Sequence, residues 1–292
     1  MKRIFLFLVT NLAVLALLSA VVFIIEQVLG VRLSGDGLGG LLVFAAIFGF
    51  GGALISLALS KWTAKRMLGV RVITAPQSDL ESWLLGTVKG LADKAGIGMP
   101  EVGIFDSQEM NAFATGARRN AALVAVSSGL LRSMSRSEAQ AVLGHEITHV
   151  ANGDMVTLAL LQGVLNTFVI FLARIIGSLV DRALFKNERA ESGIGFFLTT
   201  MAAQLVLGLL ASLIVSWYSR RREFRADRGG GNLAGAGNMI AALEVLKRSQ
   251  GEPMPPQMQA FGINTGSSSG LMRLFMSHPP LDERIAALRQ PF

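Results

Sequence analysis

The chain has 292 residues, 51% of them hydrophobic and only 16% charged, with a mean hydropathy of +0.50; that is too apolar and charge-poor for a wholly soluble protein and reads as a membrane protein with a soluble part. Cysteine is absent, which excludes disulfides, thiolate nucleophiles and Cys-ligated zinc. The net charge of +7 does not signal nucleic acid, because Lys and Arg cluster beside apolar segments, as cytoplasmic membrane anchors do, and no aromatic stacking motif is interleaved with them.

In chain order, Ile4 to Ile25 is an unbroken apolar run after Met1-Lys2-Arg3, long enough to span a bilayer and too long for the apolar core of a cleaved signal peptide. A second run, Leu38 to Ser60, contains Gly49, Gly51 and Gly52, which suggest close helix packing. From Lys61 to about Asp154 the chain is mixed and soluble in character. Ser82 to Ala95 reads as a helix and Glu101 to Phe105 as a strand. Asn111 to Thr115 and Ala121 to Val126 flank a polar, glycine-containing turn and read as a β-hairpin. Ser135 followed by Glu138 is a capping box that opens a helix. A third apolar run begins after Asp154 and reaches about Val180, interrupted by Gln162, Asn166 and Arg174; a fourth covers Ile194 to Trp217 with Gln204 inside it. Polar residues at such depth face other helices or a wet cavity. These two runs span the membrane or, in the alternative, dip into it as a hairpin. Beyond them, Gly229 to Gly231 should end the helix that carries Arg220 to Asp227, since glycine disfavours a helix by about 1 kcal/mol. Met239 to Lys247 reads as a helix, Gly251 to Gly270 as a loop, and Pro279 to Leu288 as the start of a last short helix.

Four parts follow: a membrane helix pair (1–60), a first soluble part (61–154), a second hydrophobic pair (155–218) and a second soluble part (219–292). Lys2, Arg3, Lys61, Lys65, Arg66, Arg71 and the arginines from Arg220 to Arg228 fall on one side, against Arg32, Arg182, Lys186 and Arg189 mixed with acids on the other. The positive-inside rule then puts both termini and both soluble parts in the cytoplasm.

Two of the three histidines sit in one short word, His145-Glu146-Ile147-Thr148-His149. On a helix, residues four apart share a face, so both imidazoles can hold one metal ion, with Glu146 beside them as general base for a metal-bound water. Two surface histidines on an amphipathic helix would be the unremarkable alternative. A catalytic zinc takes three protein ligands and a water. The third ligand is either His278, the remaining histidine, or Glu223. Asp227 lies four residues after Glu223, an arrangement in which a second acid orients a ligating histidine. Spacing alone equally allows Glu223 and Asp227 to be surface acids answering the nearby arginines.

The chain resembles the HtpX family of membrane-bound zinc metalloproteases, relatives of the eukaryotic CAAX prenyl endoprotease. The resemblance covers essentially the whole length: the four hydrophobic segments, Asn111-Ala-Phe-Ala-Thr-Gly116, His145 to His149 followed by Ala151-Asn-Gly-Asp154, Arg222-Glu-Phe-Arg-Ala-Asp227, and Ser277-His-Pro-Pro280. It implies a mainly α, integral membrane protein with four hydrophobic helices and a cytoplasmic, zincin-like α+β protease domain bearing a small hairpin or sheet. It implies one zinc ion per subunit held by His145, His149 and Glu223, with Asp227 behind a ligand. It implies a multi-pass protein of the bacterial inner membrane that cleaves membrane proteins in stress-related quality control, with the bilayer and other quality-control proteases as partners. Arg228-Gly-Gly-Gly231 departs from the helix-favouring continuation expected there.

In the mechanism so implied, Glu146 takes a proton from the attacking water and returns it to the leaving amine. His278 stabilises the oxyanion, or is a structural residue fixed by Pro279 and Pro280. Asn111, Ala112, Phe113 and Ala114 form an edge strand that pairs with the substrate backbone, or an ordinary strand that buries Phe113. Two other function classes compete. An intramembrane protease would need the metal motif within a spanning helix, yet Arg136, Glu138, Asn152 and Asp154 bracket it too tightly. A non-catalytic transporter or scaffold would not need an intact Glu146 and Glu223.

Overall fold

A computed structural model describes residues 38–185, 193–250, 274 and 276–290. The apolar run Ile4 to Ile25 and the loop Gly251 to Gly270 lie outside the described residues. The chain divides into two compact units, one within Met1–Ser56 and Leu158–Val215, the other within Leu57–Thr157 and Ser216–Phe292.

The first unit draws on three long helices: α1 (Leu38–Met67), α5 (Asp154–Phe185) and α6 (Ile194–Ala234). Each is long and apolar enough to cross a membrane, with mean hydropathies of 2.3, 2.0 and 2.0 over their most apolar stretches. Large side chains such as Ile47, Phe48, Leu205 and Leu209 stay exposed, as expected of surfaces meant for lipid rather than water. Association rests instead on small residues. A Cβ on Gly163 would come within 2.6 Å of the Phe50 ring, and one on Gly49 or Gly177 would collide with Thr167 or Thr200. Of the three glycines expected to mark close packing in α1, only Gly49 does so; no described residue lies within 4 Å of a Cβ at Gly51 or Gly52. The polar interruptions of α5 find partners: Gln162 donates to Asn166 at 2.9 Å, and the Arg174 guanidinium lies 4.5 Å from the Phe44 ring centre.

The second unit is built on a four-stranded sheet: β1 (Arg71–Val72), β2 (Glu101–Phe105), β3 (Ala112–Thr115) and β4 (Leu123–Ser127), in the order β1-β2-β4-β3. β3 and β4 form the antiparallel pair expected from the sequence, with Thr115 opposite Leu123, while β2 and β4 run parallel. β4 is buried at every residue, consistent with its central place and its nearly continuous apolar run.

Helix α2 (Asp79–Ala95) starts three residues earlier than the sequence suggests, because the Ser78 side chain accepts from the Glu81 amide and caps it. After the short α3 (Ser128–Ser133), helix α4 (Arg136–Asn152) opens with the expected Ser135–Glu138 capping box. It ends at Gly153 with φ 68°, in the left-handed region that glycine tolerates. α4 is buried on two sides. Leu143 and Ile147 join Leu84, Val88 and Val124 of α2 and the sheet. Ala139 and Val142 join Met239 and Leu243 of α7 (Ala236–Gln250) and Ile285 and Leu288 of α8 (Leu281–Arg289). Each fully buried Leu or Ile contributes about 1.5–3 kcal/mol, so the helix bearing the histidine motif is among the most firmly held elements.

Helix α6 departs from the sequence reading. Gly229, Gly230 and Gly231 do not end it; it runs through all three to Ala234. The small size of Gly229 and Gly230 is used against α4. A Cβ on Gly229 would collide with the Thr148 side chain, and one on Gly230 would stand 2.9 Å from the His145 nitrogen. Helix propensity is overridden by a backbone contact that larger residues would block.

Candidate metal centre

Four elements meet at α4. His145 and His149 are one turn apart and only 6% and 7% exposed. Their Nε2 atoms face each other at 3.1 Å, with the rings edge to face. Each Nδ1 is held by a carboxylate. His145 Nδ1 meets Asp227 Oδ1 at 2.9 Å, and His149 Nδ1 meets Asp154 Oδ2 at 2.6 Å. Asp154 reaches back because the left-handed turn at Gly153 reverses the chain just after α4.

Glu223, on α6, is fully buried. Its Oε2 is 3.5 Å from His145 Nε2 and its Oε1 is 3.3 Å from His149 Nε2. Among the described residues Oε1 accepts no hydrogen bond. One ligand atom from each of His145, His149 and Glu223 lies within 4.8 Å of the others. In the neutral imidazoles, with both Nδ1 protons directed at carboxylates, the two Nε2 atoms present lone pairs. Two nitrogen lone pairs and a carboxylate oxygen without a donor make an acceptor-only cluster, which a cation satisfies. Nitrogen and oxygen donors without sulfur suit zinc, and the set of two imidazoles and one carboxylate is a known catalytic-zinc set.

Without a metal, the same acids retain protons on the imidazoles. Burial would lower the His145 pKa, but Asp227 and Glu223, with Glu146 nearby, outweigh it and raise the group to about 9. Burial also opposes the proton on His149, and Asp154 and Glu223 shift it upward overall.

Glu146 is half-buried, the one residue of the five-residue motif that keeps an intermediate exposure. A site for solvent exchange requires such an opening. His278 is the most exposed of the group, with 61% of its side chain accessible, and its Nδ1 lies 2.9 Å from Glu223 Oε2. The segment before it is tied down by Arg220, which donates to the carbonyls of Leu274 and Met276.

Asn111 lies one residue before β3 rather than in it. Its amide donates to Ser127 Oγ at 3.0 Å and its carbonyl accepts from the Ser127 amide at 2.8 Å. β3 is the terminal strand of the sheet among the described residues. Ala112 and Ala114 pack toward the core that contains Leu143 and Ile147, whereas Phe113 turns to the other face and packs on Phe105 with ring centres 5.6 Å apart. β3 is half-buried throughout; among the described residues its outer edge pairs with no further strand, and the strand packs against the motif helix.

Two contributors escape a reading of the sequence. Asp154 was visible only as a neighbour of the motif; the signal was the glycine before it, which permits the reversal. Arg284 donates from Nε to Asp227 Oδ2 at 2.7 Å and from Nη2 to Asp227 Oδ1 at 2.5 Å. Its signal was an arginine at a position of α8 next to buried Ile285.

Comparison with known proteins gives the family. The model of peptidase family M48 matches residues 78–292. A protease HtpX homolog of Thiobacillus denitrificans is 62% identical over 289 residues, covering 99% of both chains. Protease HtpX of Nitrosococcus oceani is 64% identical over 291 residues, covering 99% of this chain and 98% of the relative. Among solved structures, S. mikatae Ste24p is similar in fold, with a TM-score of 0.63 at 20% identity; the likeness covers 99% of this chain and 65% of that one.

Proposed function

The chain belongs to peptidase family M48, among the HtpX membrane-associated metalloproteases, and from that membership we propose a zinc-dependent endoprotease of the bacterial inner membrane that cleaves membrane proteins, damaged or misfolded ones above all, on the cytoplasmic side. The observation that carries the zinc assignment is the acceptor-only cluster of His145 Nε2, His149 Nε2 and Glu223 Oε1. Bound there, zinc would lower the pKa of a coordinated water and polarise the scissile carbonyl.

The protein's own groups supply the rest. Asp227 and Asp154 keep the two Nδ1 protons in place, which fixes both imidazoles as Nε2 ligands. Glu146 accepts the proton of the attacking water and delivers it to the leaving amine. His278, exposed and mobile about its own side-chain bonds once released from Glu223, donates to the developing oxyanion. The outer edge of β3, which pairs with no strand among the described residues, takes an extended substrate backbone entered at Asn111, so that Ala112 to Ala114 align the scissile bond along α4. Specificity by backbone pairing suits a protease that accepts many unfolded sequences.

The packing of α4 between the sheet and helices α7 and α8 supports chemistry in a protein-walled soluble unit rather than within a spanning helix. The basic residues from Arg220 to Arg228, with Lys61, Lys65 and Arg66, support a cytoplasmic placement of that unit. The experiment is cleavage of an unfolded membrane-protein substrate by the detergent-purified protein. Activity should vanish on chelation and return with zinc; cleavage indifferent to chelation would overturn the proposal.

A further inference from the structure

We propose that Arg284 is a positioning residue of the metal centre, acting through Asp227 to fix the His145 imidazole. The proposal rests on the reading of His145, His149 and Glu223 as zinc ligands.

The two imidazoles are oriented by acids of different origin. Asp154, which holds His149, lies five residues away and is set by the turn at Gly153. Asp227, which holds His145, comes from a separate helix 82 residues on, and its carboxylate would be free to rotate. Arg284 removes that freedom. Its planar fork engages both oxygens of Asp227, at 2.7 and 2.5 Å, which sets the carboxylate plane. The Oδ1 atom gripped by Nη2 is the same one that accepts from His145 Nδ1. A third nitrogen, Nη1, stands 3.7 Å from Glu223 Oε2. One guanidinium thus touches the acid behind one ligand and faces another ligand directly.

A purely structural role explains less. On α8, Asp282, Glu283 and Arg289 are exposed, and Arg284 alone among the charged residues is turned inward, at 7% exposure, beside Ile285 and Leu288. Surface pairs, Lys247 with Asp282 and Arg289 with Glu244, already join α8 to α7. An apolar residue would fill the inward position without the desolvation penalty of a buried cation. The cation also offsets the excess of carboxylates around the two imidazoles. Lysine would keep the charge but not the two-pronged grip.

The test measures zinc affinity by chelator competition, together with thermal unfolding of the metal-free form, on the full-length protein in detergent. Arg284→Gln should bind zinc about 10 to 100-fold more weakly, the range for partners behind a ligand. Arg284→Lys should fall between it and the parent. Asp227→Asn combined with Arg284→Met should bind zinc as Asp227→Asn alone does, because the two residues act in series. Unchanged affinity in Arg284→Gln, or losses that add in the combined variant, would overturn the proposal. Should Arg284→Gln fail to fold, Arg284→Lys carries the test. Weaker zinc with an unchanged metal-free melting transition supports positioning, and parent-like affinity overturns it. A parent that binds no zinc would instead refute the ligand assignment itself.

Discussion

Gly230 packs directly on the backbone of His145: a Cβ at Gly230 would stand 2.9 Å from the His145 nitrogen and 3.1 Å from its Cα. This contact brings α6, which carries Glu223 and Asp227, against α4, which carries the histidines. Gly230→Ala would gain about 1 kcal/mol of helix propensity but would force the helices apart, and overpacking a tight contact costs about 1–3 kcal/mol. The expected result is a lower melting temperature and weaker zinc binding. Gly90→Ala, in the exposed middle of α2 with no described residue near its Cβ, should instead stabilise the protein by up to about 1 kcal/mol. Equal effects of the two substitutions would refute the close-approach explanation.

Removing the proposed base should separate chemistry from metal binding. Glu146 shares the helix with the ligands but is absent from the ligand cluster. Glu146→Ala is expected to fold, retain zinc by elemental analysis, and lose nearly all proteolysis. A fully active variant would exclude Glu146 as the proton carrier.

The metal-free protein should show an unusual pH profile. Its native state holds a proton on His145 up to about pH 9, whereas an unfolded histidine releases it near pH 6.5. Between those values the native state binds more protons than the unfolded state, so stability falls as pH rises. Melting temperatures of chelator-treated protein should therefore decline from about pH 6.5 to 9. Zinc competes for the same nitrogen, so its stabilising effect should grow over that window. A flat profile would mean that His145 is not protonated in the metal-free site.

Topology gives an independent prediction. A reporter fused after Phe292 should be cytoplasmic, and one inserted at Asn187 should be external if α5 and the apolar part of α6 both span. A cytoplasmic signal at Asn187 would favour a hairpin that dips into the membrane. An external signal at Phe292 would reverse the whole orientation.

The local grammar of the chain was legible. The capping box, the hairpin, the long apolar helices and the five-residue histidine motif all follow from short-range patterns that survive in the fold. Long-range relations were less so. The glycine run read as a helix stop because propensity is local, while its reason, contact with Thr148 and His145, lies about eighty residues away. The parallel pairing of β2 with β4 leaves no mark in either strand. Arg284 reads as one more surface cation until the burial of its neighbours is known, and Asp154 as a motif boundary until the turn at Gly153 is seen to aim it at His149. Glu223 was one of two candidates by spacing and the one the resemblance implied; three-dimensional proximity groups it with His145 and His149 and puts His278 on its outer side.

The identity of the third ligand is tested most directly by zinc titration of three purified variants. Glu223→Gln should lose most of the zinc affinity, because a neutral amide is a much poorer ligand than a carboxylate. Asp227→Asn should lose about 10 to 100-fold. His278→Ala should keep the metal and slow turnover alone. Loss of zinc in His278→Ala with retention in Glu223→Gln would contradict this assignment and make the site a three-histidine one.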